Sequence, residues 1–218
     1  VTTVAVLPVK RFGDAKQRLG ETLATGRRRA LTEAMVSDVL TALRRAQGIE
    51  AVVVVTDEHS AEALAHAHEA HAIGEPPEPG HSAAALRGVA WALERGASRA
   101  LVVPGDCPTL VAREIDELLA SAPPAPSVVV VPDRHGSGTN ALLLSPPDAI
   151  EPSFGPGSRA RHEDAARAAG AECRIAEPPG LLLDVDTAED LETLAAALAA
   201  STGGAAHTRG LLVRLGRL

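Results

Sequence analysis

Val4-Ala5-Val6-Leu7-Pro8-Val9-Lys10-Arg11-Phe12-Gly13-Asp14-Ala15-Lys16-Gln17-Arg18-Leu19 is the stretch on which the fold turns. Val4 to Val9 is an unbroken apolar run, rich in β-branched residues and too short for a helix, and it reads as a buried strand. A basic loop follows at once, carrying Lys10, Arg11, Lys16 and Arg18. In open α/β sheets ligands sit beyond the carboxyl ends of the strands. Basic side chains there can neutralise phosphate oxygens, Arg in a bidentate way. The loop is neither a P-loop nor a dinucleotide fingerprint, because it lacks the glycines and the Gly-Lys-Ser/Thr ending those need. A connecting loop with ordinary surface charge is the bland alternative.

Outward from this strand the pattern alternates. Helical periodicity runs over Arg27 to Ala46, Ser60 to Ala70, Ser82 to Glu94, Leu110 to Ala120, Ser158 to Ala169 and Ala188 to Ala200. Between these lie short apolar runs at Ala51–Val55, Leu101–Val103, Val128–Val131 and Ala141–Leu144, with a brief Ala72–Ile73, a further strand at Glu172–Ile175 and a last one at Leu181–Leu183. Alternation of this kind predicts an α/β fold, a Rossmann-like, mostly parallel sheet with helices on both faces. Nearly all-apolar strands fit a sheet covered on both sides. The close pair Val128–Val131 and Ala141–Leu144 can form a hairpin, which would make the sheet mixed. Residues 1–200 read as one domain. In the tail, residues 201–218, either the chain is flexible or Leu211, Leu212 and Leu215 pack on the body or a partner.

Composition narrows the function. Of 218 residues 45% are hydrophobic, yet aromatics are only 1%, so stacking platforms for single-stranded nucleic acid are disfavoured. The net charge of -7 argues against uniform binding to nucleic acid or an acidic membrane surface. Against that balance, Lys10, Arg11, Lys16, Arg18, Arg27, Arg28 and Arg29 face only Asp14 and Glu21 near the start, which suits a small anionic ligand. Cys107 and Cys173 read as free thiols of a reducing compartment. With no membrane-length apolar run and an opening too short for a signal sequence, a cytoplasmic protein is expected.

Further segments carry candidate chemistry, and the first two end at the predicted ligand edge. Pro104-Gly105-Asp106-Cys107-Pro108-Thr109 delivers Asp106 after a strand, with Gly105 allowing close backbone approach. The plain alternative is that Asp106 or Thr109 caps the next helix. Asp184-Val185-Asp186-Thr187 brings a second carboxylate pair. Clustered carboxylates repel unless a cation lies among them, and Mg²⁺ is suited to bridging carboxylates and phosphates. One of Asp186 and Thr187 is expected to cap the last helix, leaving Asp184 for the metal. Phe154-Gly155-Pro156-Gly157-Ser158 before a helix is an anion site made of free N–H groups, or simply a Ser158 cap. Asp133 to Asn140 is a polar loop between two strands, in which Thr139 and Asn140 offer neutral hydrogen bonds. His59, His66, His68 and His71 read as surface residues, and a spacing such as His66 to His68 does not set two ligands on one helix face.

Taken in order, VKRFGDAKQRL (9–19), PGDCPTL (104–110), DRHGSGTNALLL (133–144), FGPGSRARH (154–162) and LLLDVDTAEDL (181–191) resemble the CofC/FbiD family, the guanylyltransferases of deazaflavin coenzyme (F-420) biosynthesis. The resemblance spans Val4 to about Leu194. It implies a nucleotide-diphosphosugar transferase-like fold and transfer of GMP from GTP to a small phosphorylated three-carbon acid, with pyrophosphate released. By position it implies metal binding at Asp106, Asp184 and Asp186, and acid binding at Lys10, Thr139, Gly155 and Ser158. It leaves Lys16 and Arg18 for the triphosphate, with Gly80, Ser82 and Gly105 on the nucleotide. Where the family more often has Gly-Leu-Asn, this sequence has Gly80-His81-Ser82, so the reader of the base stays open.

Phosphoenolpyruvate is the expected acceptor, with 2-phospho-L-lactate and 3-phosphoglycerate as alternatives. Cytidylyl or uridylyl transfer to another small phosphate, and a non-catalytic nucleotide-binding protein of the same fold, are the competing functions. A homodimer and contact with the downstream deazaflavin-transfer enzyme are open partner expectations.

Overall fold

The computed structural model describes residues 2–13, 16–20, 22–77 and 80–218. Asp14 and Glu21, weighed above in the charge balance, lie outside the described residues. Among the described residues the strands are β1 (Thr3–Pro8), β2 (Ala51–Val55), β3 (His71–Ile73), β4 (Arg99–Val102), β5 (Ser127–Pro132), β6 (Thr139–Ser145) and β7 (Glu172–Ile175). They form one sheet in the order β3-β2-β1-β4-β6-β5-β7. β1 pairs in parallel with β2 and β4, and β5 with β7. β6 alone runs antiparallel, to β4 on one side and β5 on the other, through Leu142↔Val102 and Leu142↔Val130. The expected hairpin is therefore β5–β6, inserted into an otherwise parallel sheet.

Helices cover both faces: α1 (Thr25–Arg45), α2 (His59–Ala67) and α4 (Ala112–Ala120) one side, α3 (His81–Glu94) and α5 (Ser158–Ala168) the other. The alternation of β1 sets this up, because successive side chains of a strand point to opposite faces. Ala5 and Leu7 join Val36, Leu40 and Ile115 in one core, whereas Val4 and Val6 join Val89, Ala92 and Ala166 in the other. Each fully buried Val or Leu contributes about 1.5–3 kcal/mol relative to exposure. α3 packs so closely on β1 that a Cβ at Gly88 would overlap Val6.

A third, smaller core joins the start of α1 to α6 (Ala188–Ala200) and α7 (Ala206–Arg214) through Leu31, Met35, Leu191, Leu194, Leu211 and Leu212. The tail is thus helical and packed against the body. Asp38, buried within α1, accepts the N–H groups of His207 and Thr208 at 3.0 and 2.8 Å, which supplies α7 with its N-terminal cap.

One expected strand is not a strand. Pro179–Leu181 forms a single 3-10 turn, and the chain from Leu182 to Asp186 joins no sheet. Tight packing explains this. A Cβ at Gly180 would stand 2.7 Å from Leu110 Cα and 2.9 Å from Thr109 O, so the segment is pressed against the loop after β4 and not along a sheet edge. No described helix is long and apolar enough to cross a membrane.

Candidate functional site

The parallel strands β1 and β4 end on the same side, and the loops leaving them meet there. Val103 N–H still donates to Val6 O at 2.9 Å, so the chain reaches Pro104, Gly105 and Asp106 under sheet control. Gly105 matters for close approach: a Cβ there would lie 3.1 Å from Val36 Cγ2. A single backbone bond, Val185 N–H to Asp106 O at 3.2 Å, fastens the Asp184–Asp186 segment to this loop. The three aspartates converge without a strand to carry the last two.

Each aspartate has a different partner. Thr187 caps α6, its hydroxyl accepting from Asp190 N at 3.3 Å. Asp190 in return accepts from Thr187 N at 2.7 Å and Asp186 N at 2.9 Å, and it pairs with Arg134. Capping is thereby complete without the Asp186 carboxylate, whose Oδ1 accepts from Lys16 Nζ at 2.7 Å. The same ammonium bonds Asp106 Oδ2. Lys16 is only 7% exposed at its side chain. Burial opposes its charge, but Asp106 and Asp186 outweigh that and hold its pKa above the ordinary lysine value. Its backbone is left-handed, at φ 57°, and its carbonyl accepts from Arg28 Nη1 at 3.4 Å.

Asp184 accepts from Asn140 Nδ2 at 3.3 Å, and the same amide donates to Leu181 O at 2.7 Å. Burial and the neighbouring Asp106 charge push the Asp184 pKa up. Asp106 Oδ1 is buried with no hydrogen-bond partner among the described residues. Asp106 and Asp184 are therefore neighbouring like charges, and one Asp106 oxygen is unsatisfied among the described residues. Burial and the Asp106 charge likewise keep Cys107 a neutral thiol, far above its ordinary pKa.

Three cavities run along this edge. A central one of about 310 Å³ is bordered by Lys10, Lys16, His81, Gly105, Asp106 and Asp186. Toward β3, a cavity of about 330 Å³ shares Lys10 and His81 and adds Arg11, Glu75 and Gly80. Toward β6, one of about 370 Å³ shares Asp186 and adds Arg18, His135, Gly155 and Asp184. The edge is thus a groove with Lys10 at one junction and Asp186 at the other. Its volumes suit a nucleotide and a small second ligand.

The β6 end is braced by α5. Gly155 has φ 107°, and Gly157 caps α5 with φ 69°. Arg161 is consumed in bracing: it donates to Pro156 O at 2.6 Å, Ser153 O at 3.0 Å and Phe154 O at 3.2 Å. The Ser158 hydroxyl is buried without a partner among the described residues. His162 is fully buried, its Nε2 accepting from Ser153 N at 2.9 Å and its Nδ1 bonded to the Thr139 hydroxyl at 3.0 Å. An N–H can only donate, so Nε2 is unprotonated and Nδ1 carries the hydrogen.

Comparison with known proteins fits this geometry. A family model described as "Guanylyl transferase CofC like" matches residues 3–215. The chain belongs to this family. It is 51% identical to a phosphoenolpyruvate guanylyltransferase of Conexibacter woesei, over 99% of this chain and 97% of that one. It is 38% identical to a 3-phospho-D-glycerate guanylyltransferase of Phenylobacterium zucineum, over 85% and 86%. Among solved structures, a Desulfovibrio desulfuricans G20 protein provisionally named a nucleotide-diphospho-sugar transferase superposes with a TM-score of 0.79 at 16% identity, over 99% of this chain and 96% of that one. At that identity the likeness establishes the fold, and it is the mixed α/β transferase fold expected above.

Within this CofC-like chain the expected residues separate as follows. Asp106, Asp184 and Asp186 come together, and Lys16 joins them. Lys10 and Gly80 border the β3 end, while Arg18 stands at the β6 end with Gly155. The expected grouping set Lys10 with Gly155 and Arg18 with Gly80; the cavities instead place Lys10 beside Gly80 and Arg18 beside Gly155, with Lys10 and Lys16 both on the central one. The Ser82 hydroxyl accepts from Phe154 N at 2.8 Å and so ties α3 to the β6-side loop. Neither Asp106 nor Thr109 caps α4; Val111 is its N-cap, and Glu114 accepts the Val111 N–H at 3.2 Å.

Other residues carry site geometry that sequence reasoning did not assign. Glu58 accepts from Phe12 N at 3.1 Å and pairs with Arg29 at 3.0 Å, anchoring the opening loop. Asn140 orients Asp184, and His162 links Thr139 to the loop before α5. Asn140 and His162 had signals, Asn140 as a hydrogen-bonding residue of the polar loop 133–140 and His162 as the last residue of the Gly-rich segment 154–162, whereas Glu58 had none.

Proposed function

We propose that this protein is a GTP-dependent guanylyltransferase that transfers GMP to phosphoenolpyruvate and releases pyrophosphate, a step in deazaflavin coenzyme biosynthesis. The observation that carries the reading is the groove itself. At its centre a buried ammonium and the Asp106 carboxylate, with Asp184 in the adjoining β6-side cavity, form a two-signed site for phosphates, in a chain of the guanylyl transferase family. Several curated relatives bear the name phosphoenolpyruvate guanylyltransferase.

An ionised phosphate oxygen of the acid attacks the α-phosphorus of GTP. The bond from that phosphorus to the bridging oxygen breaks, and pyrophosphate leaves with the electron pair. The attacking oxygen carries no proton to remove, so a strong general base is unnecessary. Catalysis then rests on in-line positioning and on neutralising charge. Lys16 holds a fixed positive charge beside the reacting phosphates. Lys10, at the junction toward β3, fits the triphosphate, and Arg18, beside Gly155, fits the acid. Gly155 and the Ser158 hydroxyl supply further donors for the acid's oxygens, with Thr139 steadied by His162.

The carboxylates fit Mg²⁺. Among the described residues no group of three or more His, Cys, Asp and Glu side chains forms a ready metal cage. Mg²⁺ is normally held by one or two carboxylates together with substrate phosphates. Asp106, with a buried oxygen lacking a partner, and Asp184, raised in pKa by its neighbour, are the pair that would hold it. Asp186, expected as a third ligand, spends one oxygen on Lys16. When bound, the ion would neutralise phosphate charge and polarise the phosphorus under attack.

Pyrophosphate release across four nucleoside triphosphates, each with phosphoenolpyruvate, 2-phospho-L-lactate and 3-phosphoglycerate in the presence of Mg²⁺, tests the reading. GTP with phosphoenolpyruvate should give the highest kcat/KM. Release with no pairing at all would leave only a nucleotide-binding role.

A further inference from the structure

Among the described residues the β3-side cavity has one carboxylate on its wall. Pro8, Val9, Gly80 and Ala84 give it apolar surface, Lys10 and Arg11 line it as cations, and Glu75 is the sole acidic lining residue among the described residues. The Glu75 backbone is pinned, its N–H donating to Asp57 Oδ1 at 3.0 Å. Its side chain is half-buried and makes no hydrogen bond or ion pair with another described residue. Burial and the Asp57 charge raise its pKa, while Lys10 and Arg11 draw it back.

Ser82, which the sequence left as a polar group for the base, has its hydroxyl engaged with Phe154. His81 is held at the cavity wall, edge-on to Phe154 at 4.7 Å between ring centroids. Among the described residues, a nucleobase in this cavity therefore meets apolar walls, the His81 ring and the Glu75 carboxylate.

That chemistry selects among bases. Guanine presents two adjacent donors, N1–H and the 2-amino group. Adenine and cytosine each pair one amino donor with a ring-nitrogen acceptor, and uracil flanks one N–H with two carbonyls. A carboxylate accepts two hydrogen bonds side by side, so it complements guanine and repels the acceptors of the others. We propose that Glu75 is the residue that selects guanine, its carboxylate accepting from N1–H and the 2-amino group. The proposal rests on the guanylyl-transfer reading above and names the base reader within it.

Inosine triphosphate, which lacks the 2-amino group, supplies the test. kcat/KM for GTP and ITP is measured with saturating phosphoenolpyruvate and Mg²⁺, for the wild type and for Glu75→Gln. Hydrogen bonds to a charged group are worth enough to give the wild type about a tenfold or greater preference for GTP. In Glu75→Gln the GTP value should fall about tenfold to a hundredfold, mostly through KM, and the GTP/ITP ratio should collapse toward one. KM for phosphoenolpyruvate should stay within twofold, and thermal unfolding should show that the variant folds. Glu75→Asp, which keeps the carboxylate, should retain more of the GTP/ITP ratio than Glu75→Gln. A Glu75→Gln enzyme with an unchanged GTP/ITP ratio would overturn the proposal while leaving guanylyl transfer intact. A wild type inert with GTP would overturn both.

Discussion

Lys16 Nζ lies 2.7 Å from Asp186 Oδ1 and is bonded at the same time to Asp106, so one buried ammonium joins two loops separated by 80 positions of chain. This pairing both closes the groove and fixes the carboxylates. Truncation to Lys16→Ala is expected to leave Asp106 and Asp186 as uncompensated like charges. Because Asp106 is 25% and Asp186 48% exposed, water softens the penalty to about 1–3 kcal/mol, below that of a fully buried pair. Turnover should fall at least a hundredfold, as with the loss of a charge aimed at developing phosphate charge. Urea unfolding with and without Mg²⁺ reads both effects: the ion should recover more stability in the variant than in the wild type. Equal recovery in the two proteins would mean that the carboxylates do not share a cation site.

Asp184 separates activity from stability in the opposite sense. Its folded pKa is raised by burial and by Asp106, so its ionised form is disfavoured in the native protein. A carboxyl raised in this way makes the protein less stable as pH climbs from the ordinary aspartate value through the raised one. Asp184→Asn keeps the shape, and its side-chain oxygen can still accept from Asn140. It should therefore unfold no more easily than the wild type near neutral pH, yet lose about a thousandfold or more in kcat through loss of a metal ligand. Normal turnover in a folded Asp184→Asn enzyme would remove Asp184 from the metal assignment.

The sheet was largely legible because its strands are apolar on both faces, as Val52 to Val55 and Val128 to Val131 show by their burial. The same rule misled at Leu181–Leu183. Leu181 is buried, but it is apolar because it packs beneath the loop after β4, where Pro178, Pro179 and Gly180 favour a turn. The convergence of Asp106 with Asp184 and Asp186 was expected from strands ending at one edge, but a strand delivers only Asp106, and the Val185–Asp106 backbone bond brings in the other two. Their individual partners did not follow, since Lys16 with Asp186 and Asp38 with Thr208 are side-chain contacts between residues far apart in the chain. Periodicity carries no information about such pairs.

His162 offers a pH signature. Burial, with Arg161 nearby, lowers its pKa from 6.5 to about 4. The unfolded chain binds its proton first as pH falls, so stability from this residue is present above about pH 6.5 and is lost progressively down to about pH 4. Protonation would also cancel the bond that Nε2 accepts from Ser153. Between pH 7 and pH 5 the change should amount to roughly 2 kcal/mol. Urea midpoints at pH 5 and pH 7 should differ clearly in the wild type and much less in His162→Gln, whose amide oxygen can accept but does not titrate. An equal pH slope in both proteins would assign the acid sensitivity to other groups.

Gly180 tests whether packing, and not the aspartates alone, sets the site. A Cβ there would meet backbone on two sides, Leu110 Cα at 2.7 Å and Thr109 O at 2.9 Å, and backbone cannot yield as a flexible side chain can. The Gly180 N–H also donates to Glu114 Oε1 at 2.9 Å, so the turn is held at the start of α4. Gly180→Ala must push the turn away from the loop after β4. Overpacking of this sort costs about 1–3 kcal/mol. The displacement would be passed to Leu181, whose carbonyl accepts from Asn140, and through Asn140 to Asp184. Small misplacements near reacting groups cost about a hundredfold in rate. The variant should therefore lose kcat by more than its stability loss explains at a temperature where it is fully folded. A folded Gly180→Ala enzyme with wild-type kcat would show that the Asp184 segment is positioned independently of the turn.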